Sequence, residues 1–130
     1  FLGRLWLYTT EFGLVVEEGE LRAFGGGVLS SYAECVAALT SPEPRRVWLD
    51  IERVMRTKYH FDRFQRIYFV VEGFNELLRA TEETDFARVY KNISGEAALE
   101  PGDVFPGDRG YDGPLQSVRP GPAFMKREGR

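Results

Sequence analysis

Residues 4–14 read Arg4-Leu5-Trp6-Leu7-Tyr8-Thr9-Thr10-Glu11-Phe12-Gly13-Leu14. Together with Leu2 and Gly3 they follow a helical period. Leu2, Leu5, Trp6, Thr9 and Phe12 fall at i, i+3, i+4, i+7 and i+10, the spacing of a single buried stripe. The reading is a helix over residues 2–12, with Gly13 in position to end it as a left-handed cap. Beside the stripe, Gly3, Leu7 and Glu11 are spaced by four and share a second face. A residue without a side chain, then an apolar one, then a carboxylate would suit a pocket floor with Glu11 as a ligand. The same order suits a helix whose last carboxylate is merely solvated. Spacing alone favours that plainer reading.

Downstream, Leu14-Val15-Val16 and Leu21-Arg22-Ala23-Phe24 flank Glu17-Glu18-Gly19-Glu20, a hairpin with a glycine in its turn. Gly25-Gly26-Gly27 follows and leads into Ser30-Ser31. Ser31 and Glu34 have the form of a capping box, opening a helix to about Leu39. A short strand at Val47-Trp48-Leu49 precedes a helix capped by Asp50 and ending near Arg56. Ile67-Tyr68-Phe69-Val70-Val71 is the clearest strand, β-branched or aromatic throughout. Residues 74–81 and 84–92 read as two further helices. The class is α+β, mainly helical, with short strands and no βαβ crossover. Residues 1–93 form the apolar, structured portion. Residues 94–130 are Gly- and Pro-rich, as in Glu100-Pro101-Gly102-Asp103 and Phe105-Pro106-Gly107-Asp108, and read as an extended or disordered tail, frayed at its end.

Composition narrows the function. The chain has 130 residues, 43% hydrophobic and 14% aromatic, enough apolar material for a core. A formal charge of −3 argues against nucleic acid or an anionic membrane as the main partner. No stretch is long and apolar enough to span a bilayer, and no signal peptide is visible. A single cysteine, Cys35, excludes an internal disulfide and points to a reduced, cytoplasmic setting. The chain opens without Met and already in helical phase, which reads as the middle of an element.

Few residues carry chemistry on their own. The glycine run lets backbone approach a ligand closely, and the N–H groups of a following helix start attract an anion such as a small carboxylate. No Lys follows as a phosphate loop requires, and a plain turn with an N-cap explains the pattern as well. His60 is the only histidine, with Asp62 two residues on. One His with scattered acids is a poor metal signature and reads as a loop residue. Nothing places Cys35 near His60, so a nucleophile pair is not indicated.

Three blocks, taken in order, resemble the pterin-dependent aromatic amino acid hydroxylases. The first runs from Arg4 to Leu14. The second is Phe24-Gly25-Gly26-Gly27-Val28-Leu29-Ser30-Ser31-Tyr32-Ala33-Glu34. The third is Val54-Met55-Arg56-Thr57-Lys58-Tyr59-His60-Phe61-Asp62-Arg63-Phe64-Gln65, running into Tyr68-Phe69-Val70-Val71 and Phe74. The third block is similar to the bacterial single-domain enzymes that act on phenylalanine. The resemblance implies the family's catalytic fold, here incomplete. It also implies a mononuclear Fe(II) held by two histidines and a carboxylate, a tetrahydropterin as electron source, and O₂ as co-substrate. By position, Glu11 is then the iron carboxylate, Gly3 lies by the pterin with its carbonyl, and Trp6 sits just behind the iron ligands. Leu7 lines the site of the substrate ring. Gly27, Ser30 and Glu34 line the amino acid site, and Tyr59 borders its mouth. The substrate is a small aromatic amino acid, phenylalanine first and tyrosine or tryptophan as alternatives. A non-catalytic amino-acid-binding homologue is the remaining reading. The chain departs from the family at Leu7, where Trp is usual, and at Trp6, where Tyr is common. The family's His-Asp-x-x-x-His stretch lies upstream of Glu11 and is not among these residues. An N-terminal segment carrying both histidines is therefore expected in the intact protein, with this chain inactive alone.

Overall fold

A computed structural model describes residues 1–60 and 64–116. Asp62 and the basic end of the chain, read above as a neighbour of His60 and as a frayed terminus, lie outside the described residues. The order of elements is α1 (Leu2–Trp6), a π-helical turn (Leu7–Glu11), β1 (Leu14–Glu17), β2 (Glu20–Ala23), α2 (Gly26–Leu29), α3 (Tyr32–Thr40), β3 (Arg45–Trp48), α4 (Ile51–Arg56), β4 (Ile67–Val71), α5 (Phe74–Glu83) and α6 (Phe86–Ile93).

The strands form one mixed sheet in the order β2-β1-β4-β3. β1 and β2 are antiparallel, with Leu14 opposite Ala23 and Glu17 opposite Glu20. Their two-residue turn is Glu18-Gly19, both at positive φ (52° and 78°), the geometry whose twist matches a right-handed hairpin. β4 runs parallel to both β1 and β3. Every residue of β4 is buried, as expected of a central strand covered on both faces. Ile67 and Phe69 point into one core with Leu5, Tyr8, Val54, Met55 and Ile93. Tyr68 and Val70 point into the other, with Leu14, Leu21, Val28 and Leu39. Helices therefore cover both faces of the sheet.

Three sequence expectations are corrected. β3, α4 and β4 make a βαβ unit, since β3 and β4 are parallel neighbours with α4 between them. The helix is only six residues long, and the parallel pairing of β3 with β4 is a long-range fact that no local pattern marks. The first helix does not keep one period. Past Trp6 it widens into a π turn, where the amide of Phe12 donates to the Leu7 carbonyl (2.9 Å). The buried residues are Leu5, Tyr8 and Thr9, while Leu2 and Trp6, placed in the stripe by spacing, are about half exposed. Gly13 is not at positive φ. It is required for a different reason: a Cβ there would collide with the Phe24 ring and the Thr9 carbonyl.

Residues 94–116 carry no helix or strand of their own but lie along α4 and β3. The Arg109 carbonyl accepts from the Trp48 amide (2.8 Å), and the Tyr111 amide donates to the Arg46 carbonyl (2.8 Å), covering the β3 edge. Asp108 accepts from the Arg53 guanidinium at 2.9 Å, both side chains being buried. No helix among the described residues is long and apolar enough to cross a membrane.

Candidate functional site

Glu11 closes the π turn, half-buried, two residues before the hairpin. The glycine run packs directly on it. A Cβ on Gly25 would collide with the Glu11 carbonyl; one on Gly27 would stand 3.0 Å from that carbonyl, 3.2 Å from Glu11 Oε2 and 2.9 Å from the Phe12 ring. The backbone approach read from the three glycines is thus an approach to the chain's own Glu11. Gly26 leaves Oε1 room, with a Cβ there still 3.9 Å away. Among the described residues no side-chain hydrogen bond or ion pair engages the Glu11 carboxylate. A half-buried carboxylate held by backbone and left without a donor has the chemistry of a hard-cation ligand. No cluster of three or more His, Cys, Asp or Glu able to hold a metal occurs among the described residues. Glu11 fits one ligand position, and the other donors are not in these residues.

Glu34 is buried, at 7% exposure, on the first turn of α3. The capping box is half formed: Ser31 Oγ accepts from the Glu34 amide (3.3 Å). The Glu34 carboxylate turns elsewhere. Its Oε2 accepts from the Tyr68 hydroxyl (2.8 Å) and the Gln65 amide (3.1 Å). Burial and the Glu34 hydrogen bond both push the Tyr68 phenol well above its ordinary range, so it stays a neutral donor. Gln65 and Tyr68 were not singled out by sequence reasoning. Both stand in the third block, but nothing in a local pattern joins them to a glutamate 31 and 34 residues away.

Tyr59 faces this cluster. Its ring packs on Phe12 (5.4 Å between centroids) and edge-on to Tyr8 (5.9 Å). Its phenol is pushed up first by burial, then by the negative charges of Glu34 and Glu11. Glu11, Gly27, Glu34 and Tyr59 are thereby brought together. Ser30 follows α2, its hydroxyl donating to the Gly27 carbonyl (3.0 Å). Gly3, Trp6 and Leu7 lie on the helix leading to Glu11. Gly3 is exposed, and a Cβ there meets nothing within 4 Å. Its carbonyl already accepts from the Leu7 amide. Trp6 is 54% exposed and Leu7 half-buried. His60 is apart from the cluster, with Nε2 3.1 Å from Glu100 Oε1.

A π turn thus delivers a half-buried carboxylate to a glycine cradle just before β1. Residues 2–93 match the biopterin-dependent aromatic amino acid hydroxylase family, and the chain belongs to it. It is 43% identical over 107 residues to phenylalanine-4-hydroxylase of Ralstonia nicotianae, covering 82% of this chain and 34% of that protein. The corresponding protein of Caulobacter vibrioides is 40% identical, with 82% and 36% covered. The iron- and phenylalanine-bound crystal structure of phenylalanine hydroxylase from Chromobacterium violaceum superposes with a TM-score of 0.81 at 40% identity, covering 85% of this chain and 41% of that one. The chain thus spans little more than a third of the relatives it matches.

Proposed function

We propose that this chain supplies the carboxylate-bearing part of an enzyme that hydroxylates the ring of phenylalanine to tyrosine. The Glu11 carboxylate, cradled by Gly25, Gly26 and Gly27 and with no donor to it among the described residues, carries the proposal. In this reading Glu11 is the carboxylate ligand of a non-haem Fe(II) whose two histidines come from residues outside this chain. Iron and tetrahydropterin, once bound, supply the activation of O₂. The chain's own residues hold and orient. Gly27 and Ser30 shape the amino acid site, and Glu34, fixed by Tyr68 and Gln65, sets its polar wall. Leu7 borders the ring, Tyr59 closes the mouth, and Gly3 and Trp6 stand on the pterin and iron side. The chain alone, lacking the other ligands, is inactive. A single cysteine, Cys35, suits the cytoplasm as its setting.

The test is product formation by the complete protein with Fe(II), tetrahydropterin and O₂, offered phenylalanine, tyrosine and tryptophan in parallel. Tyrosine formed from phenylalanine, with the highest kcat/KM of the three and lost in Glu11→Gln, is the expected result. Binding of phenylalanine without turnover would establish the non-catalytic alternative instead.

A further inference from the structure

The loop that carries Tyr59 is held from behind by the segment at Leu99 and Glu100. The Lys58 amide donates to the Leu99 carbonyl (2.8 Å), and the Leu99 amide donates to the Arg56 carbonyl (2.7 Å). Glu100 then reaches over the same loop. Its Oε2 pairs with Lys58 Nζ at 2.8 Å, and its Oε1 lies 3.1 Å from His60 Nε2. One carboxylate so clasps the residues immediately before and after Tyr59. In extended chain, successive side chains point to opposite sides. With Lys58 and His60 drawn towards Glu100, Tyr59 is left facing the other way, its ring on Tyr8 and Phe12. The inner side is equally built: the Tyr8 hydroxyl donates to the Lys58 carbonyl (2.6 Å), and Gln65 Nε2 donates to the His60 carbonyl (3.1 Å). Gln65 in turn gives its amide to Glu34. Glu100 is itself set by its amide donating to Asp103 Oδ2 (2.8 Å).

We propose that Glu100 is a positioning residue: by clasping Lys58 and His60 it fixes the Tyr59 ring at the mouth of the aromatic amino acid site. This rests on the function proposed above, and it assigns to the Gly- and Pro-rich segment a part in substrate binding. The clasp touches no reacting atom, so it acts on substrate capture and not on the chemical step.

The experiment uses the complete protein, wild type, Glu100→Gln and Glu100→Ala, with 3-fluorotyrosine placed at position 59 alone. Wild type should give one narrow ¹⁹F resonance for that ring. Glu100→Ala should broaden or split it, with Glu100→Gln between. The KM for phenylalanine should rise by about two- to fivefold in Glu100→Ala, the scale at which exposed ion pairs act. Its kcat should stay within about twofold, and in a Tyr59→Ala background Glu100→Ala should bring no further rise in KM, since Glu100 acts through that ring. An unchanged resonance overturns the clasp. A changed resonance with unchanged KM overturns its role in substrate capture. A wild-type protein that hydroxylates no aromatic amino acid overturns the functional reading instead, and the resonance still decides the clasp.

Discussion

At the scale of single residues, two glycines on either side of Glu11 predict opposite outcomes. Gly27→Ala forces the Glu11 carboxylate or the Phe12 ring to move, because the new Cβ would stand 2.9 to 3.2 Å from both. Overpacking of this kind costs about 1–3 kcal/mol. In the complete protein, Fe(II) affinity and melting temperature should both fall. Gly3→Ala meets open space within this chain and should leave Fe(II) affinity unchanged. Leu7 is a specificity position in the proposed site. An aromatic ring there adds roughly 0.5–1.5 kcal/mol of contact with a substrate ring. Leu7→Trp should therefore raise kcat/KM for phenylalanine by at most about tenfold and lower it for tryptophan by steric clash. An unchanged ratio between the two substrates would show that Leu7 does not face the ring. Resemblance nominated Glu11, and a period-four face set Leu7 and Gly3 beside it, a face that the π turn over Leu7–Glu11 rephases. The sequence did not disclose that Glu34 abandons its cap for Tyr68 and Gln65. Those bonds span 31 and 34 residues, and local spacing holds no trace of them.

At the scale of elements, the buried Arg53–Asp108 pair ties α4 to the segment that covers the β3 edge. Burial raises the Asp108 carboxyl, but hydrogen bonds from Arg53, the Phe105 amide and Arg45 outweigh it, and the net shift is downward. A carboxyl held below its unfolded value contributes stability that is complete above the ordinary aspartate range, about pH 4, and is lost as pH falls through the lowered folded value. Asp108→Asn should cost about 3 kcal/mol at neutral pH, the scale of breaking a buried pair. It should also flatten the acid limb of a denaturant-midpoint profile taken from pH 7 to pH 3. Equal acid limbs in the two proteins would rule out Asp108 as the group concerned. Strand β4 and helices α3, α5 and α6 were legible because composition, caps or amphipathic period mark each of them. The βαβ unit was not: its strands and helix were each read, but the parallel pairing of β3 with β4 joins residues 22 apart and leaves no local trace. The π turn was missed because one widened turn rephases the burial stripe, which is why Trp6 is exposed where spacing put it inside.

At the scale of the whole molecule, part of the exposed apolar surface lies on the first helix and beside the glycine cradle. Phe1, Leu2 and Trp6 on the first helix, and Leu29 and Tyr32 around the glycine cradle, are all exposed. Expressed by itself, the chain should bind a hydrophobic dye and aggregate on warming, as exposed contiguous apolar surface does. A monomer with a sharp unfolding transition and no dye binding would contradict an interface on that face. The family covers residues 2–93, and the described part of the remaining segment is bonded to the same sheet and helices. The central proposal is Glu11 as the iron carboxylate of an aromatic amino acid hydroxylase. The most direct measurement is anaerobic Fe(II) titration of the complete protein against its Glu11→Gln variant. A single tight site in the wild type, weakened on the order of tenfold to a hundredfold or more in the variant with its fold intact, is the predicted result. Equal, stoichiometric iron binding by both proteins would contradict it.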